Sequence, residues 1–506
     1  MYQSTIEYGW RRTVVTLAVI AATMLEIVDT TIVNVALPNV QGNLGVSVND
    51  AAWVVTAYII ANVVIIPITP WLQARFGRRA YYLTSIGIFT FASAMCGLSG
   101  SFSQLVFWRV VQGVGGGGLI STSQAILRET YPLSEQGKAQ GIFSMGVIVG
   151  PALGPVLGGF ITDNLSWQWT FFINLPIGIL TALAVFFVLR NPAPPQKDRK
   201  LDWLGLGLLA LGLGSLQYVL EQGQTNDWFS DGAIRAFSLF AVVGLVGFVV
   251  RTLRTRNPIV DLHVLKYREV AAGSLLGAVL GISLYGSVLI LPQYVQNTLN
   301  FTATQSGETM LVRALAIMLV TPFAAIIASR GRVDARWMVF GGFILLGISN
   351  WMLATVTTPQ TEFWTFGASL IVSGLGLSQI FVPLSIAVLG SVPARDVPAA
   401  SAFFNLARQV GGSIATAVLV TVLVRGVTIH QTALGSDVTL QAQAVQQFLQ
   451  ANGGEHARSA LQNLAAFVTQ QAYVLSYADT ARWTAAISLL LAPLVIVMRR
   501  PRPHAS

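Results

Sequence analysis

LEIVDTTIVNVALP, residues Leu25 to Pro38, places two carboxylates, Glu26 and Asp29, within the first long apolar run of the chain. An ionisable group inside a bilayer is costly and faces protein or a water-filled interior, so it marks a functional position by default. At ~100° per residue, Thr23, Glu26, Asp29, Thr30 and Asn34 fall within roughly 140° of arc on one helix. That helix has one polar side, which should line a cavity. Desolvation disfavours the charged form of a carboxyl in such a place, making it a candidate to bind and release protons near neutral pH. The alternative is that a buried cation elsewhere pairs permanently with either acid.

Composition sets the class around that stretch. The 506 residues are 54% hydrophobic and only 10% charged, with mean hydropathy +0.64, against the ~25% charge usual for soluble domains. A polytopic membrane protein is expected. The formal net charge of +9 does not indicate nucleic acid, because the basic residues follow a topological pattern. Apolar spans of ~20 residues fall at about 13–38, 52–72, 80–100, 104–127, 137–161, 168–189, 201–221, 233–252, 270–296, 305–328, 335–356, 362–391, 398–426 and 479–498. Fourteen spans put both termini on one side. Of the 30 Lys and Arg, 23 lie in the termini and the even-to-odd loops, among them Arg75/Arg78/Arg79, Lys197/Arg199/Lys200, Arg251/Arg254/Arg256 and Arg330/Arg332/Arg336. Cytoplasmic termini follow from that excess. Trp53, Trp71, Trp167, Trp169, Trp203, Trp228, Trp337 and Trp364 lie near span ends, as an interfacial belt requires. The first span is too long for a cleavable signal, and the single cysteine, Cys96, precludes an intramolecular disulfide.

Asn191 to Lys200, NPAPPQKDRK, is a proline-rich charged hinge. It divides the chain into an N-terminal six-helix bundle (1–190), two additional spans with linkers (191–265) and a C-terminal six-helix bundle (266–506). The polar stretch 427–478 shows helical spacing in Val445, Phe448, Leu449 and in Leu461, Leu464, Phe467, Val468, around Asn452-Gly453-Gly454. It reads as an external hairpin of two amphipathic helices before the last span, serving as a docking element or a lid.

In the fifth span Gly146, Gly150, Gly154 and Gly158 recur every four residues, with Pro151 and Pro155 between them. Such a groove admits a second helix closely, and the prolines bend the segment. In the fourth span Arg109, Gln112, Gly113 and Gly116 share a face. Arg109 cannot shed its proton, so it needs an acceptor, for which the acids of the first span or carbonyls freed near the glycines are candidates. Arg408, in NLARQVGG, presents the same problem. Glu308 and Arg313 are weaker candidates, since either can reach the interface by snorkelling. Gly77 permits a tight turn in WLQARFGRRAYYL and holds Arg75, Arg78 and Arg79 at the surface. No spacing of His, Cys, Asp and Glu suggests a metal or hydrolytic centre, and no phosphate-cradling loop is present, so no cofactor is expected and ATP is not the expected direct energy source. A receptor or a lipid-modifying enzyme is the rival class, but an enzyme would need a catalytic cluster at one membrane face, and the sequence offers none.

These residues resemble the major facilitator superfamily, in its fourteen-helix drug:proton antiporter branch. Val28 to Pro38 is similar to that branch's first-helix motif, Arg109 with Gln112-Gly113 to its fourth-helix motif, and Gly146 to Gly159 to its antiporter motif. Asp202-Trp203-Leu204-Gly205, Asn257 to Leu262, and Asn405-Leu406-Ala407-Arg408 with Gly411-Gly412-Ser413 also match. The outer insert and Asp227-Trp228-Phe229 are most similar to the EmrB type. Pro70 and Ala74 replace the Gly and Asp of the superfamily's loop motif, which puts the usual acid-based cytoplasmic gate in doubt. Glu26 is not general to the first-helix motif and ranks below Asp29.

The resemblance implies an all-α major facilitator fold of 14 transmembrane helices, arranged 6+2+6, in a bacterial inner membrane. It implies export of hydrophobic or amphipathic toxic compounds in exchange for protons by alternating access, with a periplasmic adaptor and an outer-membrane channel as partners. Asp29 is expected to titrate, with Glu26 beside it and Arg109 tuning it. Asn34, Tyr58, Gln112, Met145, Tyr285, Tyr294 and Asn405 are expected to touch substrate, core packing being the competing reading for each. Gly146, Gly150, Pro151, Gly154, Pro155, Gly158, Gly77, Arg78 and Arg408 are expected to govern conformation. A fatty-acid or lipid exporter, or an uncoupled facilitator, is the second reading.

Overall fold

The computed structural model describes residues 6–132, 135–196, 200–255, 258–329, 333–358, 360–439, 443–451 and 458–498. Lys197, Arg199, Arg256, Asn257, Arg330, Arg332 and the turn Asn452-Gly453-Gly454 lie outside the described residues, as does the side chain of Tyr285. Every regular element among the described residues is a helix. In chain order the long ones are α1 Gly9–Leu44, α2 Trp53–Phe76, α3 Arg78–Gly97, α4 Phe102–Gly116, α5 Leu119–Thr130, α6 Gln136–Asn164, α7 Trp169–Val188, α8 Trp203–Gln222 and α9 Gly232–Arg254. There follow α10 Arg268–Asn297, α11 Ala303–Ser329, α12 Ala335–Val356, α13 Gly367–Gly390, α14 Val397–Asp437, the short α15 Gln443–Ala451 and α16 Arg458–Leu491.

Among the described residues eleven helices are long and apolar enough to cross a membrane, or twelve if the bent α6 is taken as one span. The chain is a multi-pass membrane protein. Two further expected spans are helical without meeting that criterion: α10, and α4 with α5, which Gly117 and Gly118 interrupt.

Helices α1 to α7 pack mainly among themselves, as do α10 to α14 and α16, while α6 lies along α11 between the two sets. The glycine row of α6 faces α1. A Cβ on Gly150 would lie 2.6 Å from Ile27 Cγ2, one on Gly158 would lie 3.0 Å from the Ile32 carbonyl, and one on Gly154 would strike the Thr31 hydroxyl. The backbones approach because no side chain intervenes. Around Pro151 the helix bends by 42°. Helices α8 and α9 meet at glycines, Gly244 approaching the Gly212 backbone, and α8 packs on α2 and α14.

Three expectations change. The segment 427–478 is helical, but α14 runs unbroken to Asp437 and α16 begins at Arg458 and continues as the last long helix. Ala- and Gln-rich sequence without proline lets a started helix propagate beyond its apolar stretch. Between them α15 packs Val445 and Leu449 on Ala460, with Phe448 5.9 Å from Phe467. Trp71 and Trp167 are buried among helices and are not on the outer surface; Trp71 packs into the cluster of α2 with α8 and Trp167 against Phe171. Arg313 does not snorkel. It is 2% exposed, with Nη2 turned to the Met310 sulfur at 3.2 Å.

Candidate proton-coupling site

The site begins with the glycine run Gly113 to Gly118. A Cβ on Gly113 would lie 2.5 Å from the Tyr58 carbonyl and one on Gly115 2.6 Å from the Phe89 amide, so only glycine lets α4 seat against α2 and α3. The same run ends α4 and starts α5. A new helix start exposes orphan amides and the positive end of a dipole, and here the Ile120 amide donates to Glu26 Oε2 at 3.0 Å. Asn62 of α2 donates to Glu26 Oε1, also at 3.0 Å. Glu26 is therefore buried, 4% exposed, among neutral donors, with no cation touching it among the described residues.

One turn on, Asp29 has different company. Arg109 Nη1 donates to Oδ2 at 2.6 Å, while Gln112 and Asn174 donate to Oδ1 at 2.8 and 2.9 Å. Arg109 is held in turn by the Val54 carbonyl at 2.8 Å and the Gln112 amide oxygen at 2.7 Å. The Tyr58 ring covers its guanidinium, with 4.2 Å from the central carbon to the ring centroid. Asn174 also bonds Ser93, which bonds the Phe171 carbonyl. Neither Asp29 nor Arg109 has any exposed surface. Of the two readings left open for Asp29, the structure displays the one in which a buried cation pairs with it, and that cation is Arg109.

The remaining candidates scatter. Tyr58 and Gln112 belong to the Arg109 cage. Asn34 is exposed, its amide turned back to the Thr30 carbonyl, and Met145 is half-buried. Tyr294 lies at the opposite end of α10, bonded to the Thr358 carbonyl and Thr361 and flanked by the Phe366 and Tyr477 rings. Asn405 joins a polar cluster that crosses between the two helix sets. Its amide donates to Gln124 Oε1 at 2.9 Å, Ser401 donates to Gln124 at 2.8 Å and to the Ser121 carbonyl at 3.0 Å, and Gln124 donates to Ser385 at 3.2 Å. Arg128 donates to the Leu389 carbonyl nearby at 3.3 Å. This seam lies toward the end of the molecule that carries the N terminus and most of the basic residues.

At that end Gly77 turns α2 into α3 with φ +85°. The next residue, Arg78, forms a buried two-pronged pair with Glu129 and donates from Nε to Gln73 at 3.1 Å. Where the loop motif lacks its usual Asp, the acid comes from α5. Sequence reading passed over Asn62, Asn174, Glu129 and Gln124. Asn62 in YIIANVVI and Asn174 in FFINLPIG are polar residues inside apolar spans, and that was the available signal.

A bundle of apolar helices with an acid–arginine–amide cage in its core and a polar seam between two helix sets describes a membrane transporter, not an enzyme. Residues 19–416 match the family profile of the Major Facilitator Superfamily, and the chain belongs to that family, in its EmrB-type branch. It is 34% identical over 495 residues to the multidrug export protein EmrB of Escherichia coli K12, covering 97% of this chain and 96% of that one. It is 30% identical over 500 residues to the fatty acid resistance protein FarB of Neisseria gonorrhoeae, covering 96% of each. In fold it is similar to the human organic anion transporter MFSD10, with TM-score 0.63 at 15% identity over 96% of this chain and all of that one.

Proposed function

We propose that the chain is a fourteen-span proton antiporter that exports hydrophobic or amphipathic compounds by alternating access across a bacterial inner membrane. Its basic end faces the cytoplasm, and it works with a periplasmic adaptor and an outer-membrane channel. The kinship with EmrB supports the cargo class. The observation that carries the proton-coupled reading is the unequal state of the two acids of α1. Asp29 is paired with Arg109 at one carboxylate oxygen and bonded by Gln112 and Asn174 at the other. Glu26 is buried among neutral donors, where either protonation state can be satisfied: ionised it accepts two bonds, and protonated it keeps one acceptor and gains a donor. Glu26 is thus the carrier and Asp29 the anchor of the cage.

A gradient drives the cycle only if proton and cargo favour different states or exclude one another. The seam of Gln124, Ser401 and Asn405 joins the two helix sets toward the basic end, which supports a cycle in which that end opens and closes. In proteoliposomes, adding a hydrophobic dye substrate should release protons from the wild type and not from Glu26→Gln; release from both would overturn the assignment. The relation to FarB supports a second reading, in which the cargo is a long-chain fatty acid. Competition between the dye and a fatty acid for export separates the two.

A further inference from the structure

Tyr58 of α2 carries a hydroxyl that the cage around Arg109 does not use. Its ring lies over the guanidinium, yet the residue is 0% exposed and its oxygen is buried with no hydrogen-bond partner among the described residues. A buried hydroxyl without a partner is costly, and Phe would avoid the cost. Tyr58 and Asn62 are four residues apart and lie one above the other on α2. A Cβ on Gly116 would stand 2.7 Å from the Tyr58 hydroxyl and 3.4 Å from Asn62 Nδ2, so the two groups flank one point that only glycine leaves free. The same Nδ2 donates to Glu26 Oε1 at 3.0 Å.

Protonation of Glu26 changes what these neighbours must supply. The Ile120 amide and Asn62 Nδ2 are both donors. They suit a carboxylate, which only accepts, whereas a carboxylic acid adds an O–H that needs an acceptor. A backbone amide cannot become one. The Asn62 side chain can, because half a turn of its amide puts Oδ1 where Nδ2 stands, and that oxygen has two lone pairs.

The other groups facing Glu26 offer no free acceptor. On α1 Asp29 is bonded at both oxygens, by Arg109 of α4 and by Gln112 and Asn174. On α3 Tyr81 and Tyr82 are bonded to Thr69 and Ser123. The charges of α5, Arg128 and Glu129, lie about two turns beyond Ile120, and those of α6, Lys138 and Asp163, lie near its two ends. Helix α7 has no charged residue, and Arg408 of α14 makes no bond to Glu26 among the described residues.

We propose that Tyr58 is a positioning residue for the Glu26 proton. When Glu26 is protonated, the turned Asn62 amide accepts its O–H at Oδ1, and the Tyr58 hydroxyl donates to the second lone pair of the same oxygen. The hydroxyl that is unbonded beside the ionised acid is bonded beside the protonated one, so it favours the proton-loaded state. This rests on Glu26 as carrier and adds what sets its hold on the proton.

The test is infrared titration of the full-length protein in lipid nanodiscs, following the C=O stretch of protonated carboxyl groups as pH rises. The band that Glu26→Gln removes belongs to Glu26. Tyr58→Phe keeps a ring over Arg109 and drops the hydroxyl. Its Glu26 band should disappear at a pH lower than in the parent by about half to one unit, the worth of one hydrogen bond. At alkaline pH Tyr58→Phe should unfold no earlier than the parent, since it removes an unbonded group. Asn62→Ala removes the amide, and in that background Tyr58→Phe should leave the midpoint where it is. A midpoint unchanged or moved to higher pH in Tyr58→Phe alone, or a shift that survives in Asn62→Ala, overturns the role of Tyr58 and leaves the carrier assignment standing. If Glu26→Gln removes no titrating band, both fall.

Discussion

Two carboxylates one helical turn apart, Glu26 and Asp29, differ in what surrounds them, and the difference predicts opposite mutant phenotypes. Asp29→Asn leaves Arg109 buried without a counter-ion, a loss of about 3–5 kcal/mol where one partner of a buried pair is removed. It should show as a large drop in thermal unfolding temperature and poor yield. Glu26→Gln keeps an acceptor for Asn62 or the Ile120 amide, so stability should fall by no more than about 1–3 kcal/mol, the cost of one unsatisfied buried group, while gradient-driven export disappears. Equal unfolding temperatures for the two variants would contradict this division. The acids and Arg109 were legible in the sequence because a charge in an apolar span has no bland explanation. Asn62 and Asn174 were not read, since an amide in such a span can also bond its own backbone. That the Tyr58 ring covers Arg109 was not legible, because sequence cannot say which side of α2 meets that guanidinium.

At the scale of elements, glycine spacing in α6 foretold a close helix neighbour, and the structure names it as α1. Gly154→Val should force the two apart, a cost of about 1–3 kcal/mol for overpacking, with transport lost or reduced at least tenfold. Gly87→Ala on α3 is the control, because a Cβ there meets nothing within 4 Å. It should be neutral or stabilising by up to about 1 kcal/mol. Dye-efflux rates and unfolding temperatures of both variants check the contrast. Hydropathy located the helices but misplaced the ends of α14 and α16. Apolar content stops at the membrane surface, whereas backbone hydrogen bonding continues through the Ala- and Gln-rich residues beyond it.

Across the whole molecule, the seam of Gln124, Ser385, Ser401 and Asn405 joins the two helix sets at the basic end. Gln124→Ala removes the shared partner and should shift the population toward a state open at that end. A thiol reagent should then label cysteines placed along Ser121 to Arg128 several-fold faster than in the parent; unchanged labelling would remove the seam as a closure. Asn405 stood out in the sequence but its partners did not, because pairing between residues some 280 positions apart leaves no local pattern. The central claim is that a proton on Glu26 is exchanged for cargo, and the most direct measurement is dye transport in inverted membrane vesicles under an imposed pH gradient. The account predicts gradient-driven transport in the wild type and gradient-independent equilibration in Glu26→Gln. Full gradient-driven transport by Glu26→Gln would contradict it.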